Sequence, residues 1–421
     1  MNILQFSPYF PPHKWGVETV AEEIADYWTK KWYWKVINIT FDVWQKSPHP
    51  QSLSLGGEGS IRSYNQKWYK VFLLPSFDII PNFPVPKFWK KEFWDVLREL
   101  RNYISNNNTS PQPCPALSSK EERNTTFQAS LSKQTSPQPS PLEERGEIKT
   151  IVLSHTRFFL SSFIAGIFAR KNKLQWIHIE HGSDYVKLSS TLKSKISYIY
   201  DKIIWKWIFK RADKILAISE ACKKFIIKEF IVREVEVFYR GMSFENILEK
   251  IEKKWEIQFV FIWRLVKLKW VEDLIEVYKK WKFSEKLMII WDGEERKYLE
   301  KKSQWVNIEF LWFQDKKFIY NYLQKNNCIV INSSYQEWMP TTVLEALMNH
   351  CPVIATDVWG TSEISDWEDL QLFQSWNIGE LMEKIQFSLE NYDVLKWKSF
   401  SIIKNRFDRE NNIQNLFDKV R

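Results

Sequence analysis

The chain has 421 residues, 44% of them hydrophobic, and a formal net charge of +9. This length predicts two domains of ordinary size, and the charge favours an anionic partner such as a nucleotide or an acidic membrane surface. No apolar run is long enough to predict a transmembrane helix, the first residues do not resemble a signal peptide, and no motif indicates nucleic-acid binding.

Cysteine usage indicates the compartment. The four cysteines are far apart and show no CxxC spacing. Such a distribution is typical of reduced thiols and not of a disulfide framework or a zinc site. We therefore expect a cytoplasmic protein.

Strands and helices are predicted to alternate through the first half of the chain. The predicted strands are residues 2–7, 35–41, 69–74, 151–153, 175–179, 214–218 and 236–239, and the predicted helices are 17–30, 88–103, 161–170 and 193–211. Alternation of this kind is typical of a parallel, doubly wound α/β sheet.

Residues 105–149 interrupt the alternation. They are rich in Ser, Pro, Asn and Gln, and they contain TSPQP twice, at 109–113 and 135–139, each time followed by EER. A segment of this composition cannot bury enough apolar surface to fold. We interpret it as a disordered low-complexity insertion; a functional tail is the less favoured alternative.

A second unit of the same kind is predicted from residue 258 onward. Its strands are residues 259–263, 287–290, 308–311, 329–331 and 352–356, and its first helix is 271–280. We therefore predict two Rossmann-like domains in tandem, residues 1–245 and 246–395, and a C-terminal helix, 396–421, that packs back on the first domain. Ligands of such sheets bind beyond the carboxyl ends of the strands.

Glycine and tryptophan contents are unusual. The chain has 11 glycines and 23 tryptophans, whereas glycine usually makes up about 7% of a sequence. Many of the tryptophans follow a strand or precede a helix, where a positive φ or a close backbone approach favours glycine. We hypothesise that these positions are glycine in the source organism, encoded there by UGA. A tryptophan-rich lineage is the alternative.

The stretch 328–363 has the strongest functional pattern. A strand is followed by a loop with Glu337, a helix with Glu345 and a second buried strand. A loop that leads from a strand into a helix N-terminus is typical of a phosphate site. Arg264 and Lys269, directly after the first strand of the second domain, could neutralise a diphosphate; solvated loop charges are the alternative.

Histidines follow strands of the first domain. His181 precedes Gly182, whose backbone allows close approach to a ligand, so we favour a cleft role for His181. His155 and His13 are weaker candidates for the cleft or for an acceptor, and structural roles are favoured for both. No G-x-S-x-G elbow indicates a hydrolase, and no H-E-x-x-H, D-x-D or EF-hand pattern indicates a metal site.

Five sequence blocks resemble the retaining GT-B glycosyltransferases of family 4, which carry an E-x7-E motif. The blocks are PYFPPHKWGVE, FIWRLVKLKWVEDLIE, WDGEE, EWMPTTVLE and ALMNHCPVIATDVWGTSEI. They occur in the family's order, and the similarity covers nearly everything except 105–149. Family glycines correspond here to tryptophans, at Trp15, Trp263, Trp270, Trp291, Trp338 and Trp359.

The resemblance implies roles for individual residues. His181 and Glu337 would be the catalytic residues, with Glu337 on the donor sugar. Arg264 and Lys269 would hold the donor diphosphate, and Glu345 the ribose. The remaining donor-binding positions would be Gly16 and the segment Trp338, Met339, Pro340 and Thr341, whose backbone amides at 338–340 would hold the phosphate.

The resemblance also implies the reaction. A sugar would pass from a UDP- or GDP-linked donor to a glycan, lipid-linked or small-molecule acceptor with retention of configuration, without a metal or other cofactor, in cell envelope polysaccharide biosynthesis. A GT-B-fold sugar-nucleotide epimerase and a catalytically dead nucleotide-binding relic are the alternatives.

Two basic, aromatic helical segments, 193–214 and 88–101, could rest on an anionic membrane surface; ordinary solvated helices are the alternative. We expect a cytoplasmic enzyme that acts at the inner face of the membrane, with no nucleic-acid partner.

Overall fold

The structure is a computed structural model of the chain. The residues that it describes are 1–10, 16–32, 35–42, 63–66, 69–80, 83–106, 149–182, 185, 191–232, 234–245, 247, 254–262, 271–281, 283–290, 293, 295–311, 313–334, 339–358, 360–365, 370–375 and 377–420. The predicted insertion falls almost entirely outside these ranges, as do His13, Arg264, Lys269, Glu337 and Trp338.

The first domain is built on a mostly parallel sheet. Its elements are β1 (Asn2–Phe6), α1 (Gly16–Trp32), β2 (Lys35–Asp42), β3 (Ser63–Gln66), β4 (Tyr69–Ile80), β5 (Phe83–Pro86), α2 (Lys91–Asn106), β6 (Thr150–His155), α3 (Leu160–Lys171), β7 (Gln175–Glu180), α4 (Thr191–Tyr200), a π-helical turn (Asp201–Trp205), α5 (Lys206–Arg211), β8 (Lys214–Ala217), α6 (Glu220–Phe230) and β9 (Glu236–Val237). Within the described residues the strand order is β3-β4-β2-β1-β6-β7-β8-β9, and β3 and β5 pair antiparallel with β4.

The second domain is built on a parallel sheet. Its elements are β10 (Lys254–Ile262), α7 (Val271–Trp281), β11 (Leu287–Ile290), α8 (Arg296–Lys302), β12 (Ile308–Leu311), α9 (Lys316–Lys325), β13 (Asn326–Asn332), α10 (Thr341–Met348), β14 (Val353–Thr356), β15 (Leu370–Phe373), α11 (Ile378–Glu390), α12 (Tyr392–Phe407) and α13 (Arg409–Val420). In the described part of this sheet the order is β12-β11-β10-β13-β14-β15, and each neighbouring pair is parallel.

Helices cover both faces of the first sheet. In β1, Ile3 packs into one hydrophobic cluster with α1, and its neighbour Leu4 packs into another with α2 and α3. Successive side chains of a strand point to opposite faces, so a strand that is buried on both faces must be apolar nearly throughout. This explains why the central strands are continuous apolar runs and not alternating patterns.

The last helix, α13, lies against the first domain. Lys419 of α13 forms an ion pair with Glu236 at 2.5 Å, and its carbonyl accepts a hydrogen bond from Lys214 at 2.9 Å. Gly241 permits the close approach of the first residue of α13, because a Cβ at this position would lie 2.2 Å from Cα of Arg409.

The predicted fold class is confirmed: the chain has two α/β units with parallel sheets. Element boundaries differ in places. The helix predicted at 193–211 contains the π-helical turn, which places Asp201 and Trp205 in the interior. The helix predicted at 88–103 begins at Lys91, after a turn in which Lys90 N donates to Lys87 O. Within the described residues, no helix is long and apolar enough to cross a membrane.

Candidate active site

The two domains are in contact at residues that follow β8 in the first sheet and β14 in the second, and we call this region the cleft. Glu363 lies after β14 of the second domain, and its carboxylate accepts hydrogen bonds from the backbone N–H groups of Glu220 (2.5 Å) and Ala221. These N–H groups begin α6 of the first domain, where a helix has no intrahelical acceptors and carries partial positive charge. A carboxylate of one domain therefore caps a helix of the other at the cleft.

Glu180, the last residue of β7, organises the first-domain side of the cleft. Its buried carboxylate accepts hydrogen bonds from backbone N–H groups of Arg157 (2.9 Å), His181 (2.9 Å) and Gly182 (2.7 Å). The Arg157 guanidinium lies 2.6 Å from Oε1. Burial would raise the pKa of Glu180, but Arg157 and His178 outweigh it and hold the pKa at about 2. The loop 180–182 is thus clamped by a permanent negative charge.

His181 and His155 form a hydrogen-bonded pair. Nε2 of His181 lies 3.2 Å from Nδ1 of His155. Burial lowers the pKa of His181 to about 4, against the opposing charge of Glu180, and burial together with His181 lowers the pKa of His155 well below its usual value. Both rings are therefore neutral near pH 7. His155 is fully buried, and the contact that the structure shows for its ring is the one with His181; the expected contact with an acceptor stays a prediction.

Aromatic packing fixes Arg157. Its guanidinium carbon lies 3.8 Å from the ring centroid of Trp205, which stacks on Tyr185. Asp201 lies in the same π-helical turn as Trp205 and is fully buried. Burial raises the pKa of Asp201 to about 8, although Arg157 opposes the shift. A buried cluster of charged and aromatic side chains therefore supports the loop that carries His181.

The N-terminus of α10 is the counterpart in the second domain. Pro340 is its N-cap and makes no side-chain hydrogen bond to the helix. Because proline has no N–H, Pro340 cannot donate a backbone amide to phosphate, which corrects that part of the expectation for 338–340. Thr341 and Thr342 supply the first helical N–H groups, which point towards the N-terminus as in other anion-binding helices. Met339, just before them, is buried.

Glu345, in the second turn of α10, is held by α9. Lys316 Nζ lies 2.9 Å from its carboxylate, and the Tyr320 hydroxyl donates to it at 3.2 Å. The Glu345 side chain is 17% exposed, so it keeps access to solvent. Burial, together with the charge of Glu345, raises the pKa of Tyr320. The hydroxyl therefore stays protonated and continues to donate.

Arg240 adds a cation where the domains meet. It is nearly buried, and its Nε lies 3.9 Å from Glu23 of α1. Its charge also acts on His181 of the first domain and on Tyr320 of the second. Arg240 is thus within electrostatic reach of both sides of the cleft.

Comparison with known proteins decides the activity class. A family model described as Glycosyltransferase Family 4 matches residues 144–246, and one described as Glycosyl transferases group 1 matches residues 243–405. The chain is a GT-B glycosyltransferase. The chain is also 29% identical over 381 residues to an uncharacterized glycosyltransferase of Methanocaldococcus jannaschii, with 86% of this chain and 83% of the relative covered.

Two further similarities extend over part or all of this glycosyltransferase. TuaC of Bacillus subtilis, a protein named for teichuronic acid biosynthesis, is 28% identical over 227 residues, which cover 50% of this chain and 54% of TuaC. The Anabaena protein HepE in complex with UDP has a similar fold, with a TM-score of 0.62 and 13% identity over 100% of this chain and 99% of HepE.

The structure places the sequence-predicted residues of the glycosyltransferase unevenly. His181 and His155 are paired in the first domain, Glu345 lies in α10 of the second domain, and Gly16 is the first residue of α1. Sequence reasoning missed the residues that position them, namely Arg157, Glu180, Arg240, Lys316 and Tyr320. For the first two a signal exists: charged residues stand next to the histidines in SHTRFF and EHGSD, directly after apolar strands.

Proposed function

We propose that this glycosyltransferase moves a hexosyl group from a UDP- or GDP-linked donor to a glycan, lipid-linked or small-molecule acceptor, with retention of anomeric configuration and without a metal ion. The observation that carries the proposal is that the charge of Arg240 acts both on neutral His181 of the first domain and on Tyr320, which holds Glu345 in the second domain. One side suits a sugar, and the other suits a nucleoside diphosphate.

The donor is assigned to the second domain. The first N–H groups of α10 and its helix dipole favour the diphosphate, and Arg264 and Lys269 would add positive charge. Glu345 would accept hydrogen bonds from the ribose hydroxyls, because Lys316 and Tyr320 leave part of its carboxylate exposed. Glu337 would bind hydroxyls of the donor sugar. The presence of UDP in HepE favours a uridine nucleotide.

The chemistry is assigned to the cleft between the domains. The acceptor hydroxyl would attack the anomeric carbon on the face from which the diphosphate leaves, and its proton would pass to the departing phosphate oxygen. Neutral His181 would hydrogen-bond to the donor sugar. Because its ring carries no positive charge, it would not draw the diphosphate away from the N-terminus of α10. The α10 N-terminus, Arg264 and Lys269 would stabilise the negative charge that develops on the leaving group.

The acceptor is proposed to be a component of cell envelope polysaccharides. TuaC is named for teichuronic acid biosynthesis, and the net charge of +9 suits acidic or phosphate-bearing acceptors. A lipid-linked acceptor would place the enzyme at the inner face of the cytoplasmic membrane.

A donor panel with and without acceptor tests the proposal. The purified protein is incubated with UDP-, GDP- or ADP-sugars, with or without an extract of envelope glycolipid as the acceptor. The release of nucleoside diphosphate is measured in each reaction, in the presence and in the absence of EDTA. We expect release that depends on acceptor and persists in EDTA. A changed sugar without acceptor would instead identify an epimerase, and binding without turnover would identify an inactive protein.

A further inference from the structure

One surface of the first domain combines exposed apolar side chains with lysines. We call it the isoleucine–lysine face. Its apolar members, with their exposed fractions, are Tyr198 (45%), Ile199 (57%), Ile203 (63%), Ile227 (39%) and Ile231 (89%). Its exposed lysines are Lys195, Lys206, Lys210, Lys224 and Lys228. These residues come from two stretches of chain, 195–210 and 224–231.

Contacts between the two stretches join them into one surface. Lys202 Nζ lies 3.1 Å from the Glu229 carboxylate, and Tyr185 donates to the same carboxylate at 2.7 Å. Beneath them, the ring centroids of Trp205 and Phe230 are 5.9 Å apart. The π-helical turn therefore lies beside the carboxyl half of α6, and the isoleucines of both stretches belong to one side of the domain.

The charge of this face is strongly positive. The acidic residues near it do not offset the exposed lysines. Glu229 forms an ion pair with Lys202, Glu220 forms one with Lys223 at 3.6 Å, and Asp201 is buried. Exposed Glu234 follows the end of α6. Apolar side chains surrounded by lysines are typical of helices that lie in a membrane interface and are attracted to anionic lipids.

Ile231 is the most exposed apolar member and has an unusual backbone. Its φ of 54° places it in the left-handed region at the C-cap of α6, where glycine or asparagine is usual and a β-branched residue is an outlier. The α6 C-terminus therefore holds a large apolar side chain in solvent at the cost of backbone strain, which points to an apolar partner at this place.

We propose that the isoleucine–lysine face rests on an anionic lipid bilayer. The isoleucines would enter the boundary between headgroups and acyl chains, and the lysines would contact lipid phosphates. The face extends along α6 from Lys224 to the C-cap Ile231, whereas the contact with the second domain is at the first residues of α6. The inference rests on the proposed function only for the use of a lipid-linked acceptor.

Vesicle co-sedimentation of the full-length protein tests the attachment without turnover. Vesicles of phosphatidylglycerol and of phosphatidylcholine are compared at low and high salt. We expect binding to phosphatidylglycerol at low salt, weakened by salt, and little binding to phosphatidylcholine. The variant I199D/I203D should lose binding, and K206A/K224A/K228A should bind about 100-fold more weakly, because each lysine near an anionic surface contributes about fivefold.

A matched control separates this face from general charge effects. V394D/N411D adds the same negative charge at exposed positions on α12 and α13, and it should bind vesicles like the unmodified protein. Equal binding by I199D/I203D and the unmodified protein overturns the proposal. The proposal is also overturned if the unmodified protein is a homodimer in solution, the I199D/I203D variant is a monomer, and neither protein binds vesicles. Transfer to a soluble acceptor should be unchanged in I199D/I203D, so a chain that binds vesicles and transfers nothing contradicts the proposed function alone.

Discussion

Replacement of Glu180 by glutamine should destabilise the first domain and disturb the His181 loop. The substitution keeps the shape but removes the charge that compensates buried Arg157, 2.6 Å away. An unpaired charge left in the interior costs about 3–5 kcal/mol. The pKa of Glu180 leads to a similar magnitude: a fall from 4.5 to about 2 corresponds to about 3 kcal/mol, because one pKa unit is worth about 1.4 kcal/mol.

The pH dependence has a definite sign. Because the pKa of Glu180 is lower in the folded chain than in the unfolded chain, its contribution is complete above pH 4.5 and is lost as the pH falls towards 2. Thermal unfolding of the unmodified protein and of E180Q, followed between pH 3 and 7, should therefore give two curves that converge at low pH.

A double variant and a surface control sharpen the test. R157M/E180Q removes both charges and should recover part of the stability, because a buried pair can be replaced by neutral groups at small cost. E309Q breaks an exposed pair with Lys286 and should change the unfolding free energy by less than about 1 kcal/mol. If E180Q unfolds at the same temperature as the unmodified protein at pH 7, the clamp described for Glu180 is wrong.

Five other substitutions have definite expectations. The unmodified protein should lose stability as the pH falls from 6.5 to about 4, because the unfolded chain binds a proton at His181 that the folded chain, with its lowered pKa, does not. H181Q should remove this part of the loss. E345Q should raise the donor KM by about tenfold with kcat nearly unchanged, as expected for one charge-assisted hydrogen bond. E363Q should weaken the cap on α6 and enlarge the radius of gyration in X-ray scattering. W305G should stabilise the protein by about 1 kcal/mol, because Trp305 has a φ of 69°, whereas W281G at the end of α7 should destabilise it.

Contrary outcomes are equally definite. An acid limb of stability that is identical with and without His181 would mean that this ring is not buried neutral. A change in kcat alone for E345Q would place Glu345 outside the nucleotide site, and an unchanged scattering curve for E363Q would deny it a role in domain contact. Tryptophan at positions 263, 291 and 338 in peptides from the source organism would contradict the glycine hypothesis.

Much of the fold could be predicted from periodicity because its causes are local. Parallel strands covered on both faces must be apolar, and the helices between them must be amphipathic. The alternation of strands and helices is therefore visible as a hydrophobic pattern in the sequence. The π-helical turn was not predictable in this way. It follows from the burial of Asp201 and Trp205 against Arg157, which lies more than 40 residues earlier in the chain.

The candidate site was predictable only in part. His181 stands out because it directly follows the strand β7, and Glu345 because it lies in the first turns of a helix that follows a strand and a loop. Two of their supports are distant in sequence: Arg157 reaches Glu180 because β6 and β7 are adjacent strands, and Lys316 reaches Glu345 because α9 lies beside α10. No residue spacing encodes such neighbours, because strand order and helix packing are properties of the whole fold.

Proton NMR of the reaction product tests the central claim most directly. The purified protein is given a UDP-sugar of known anomeric configuration and an envelope glycolipid acceptor. We expect a new glycosidic linkage whose anomeric signal has the configuration of the donor, formed together with UDP. A product with inverted configuration would contradict the retaining mechanism, and the absence of any acceptor-linked sugar with every nucleotide donor would contradict the proposed transfer itself.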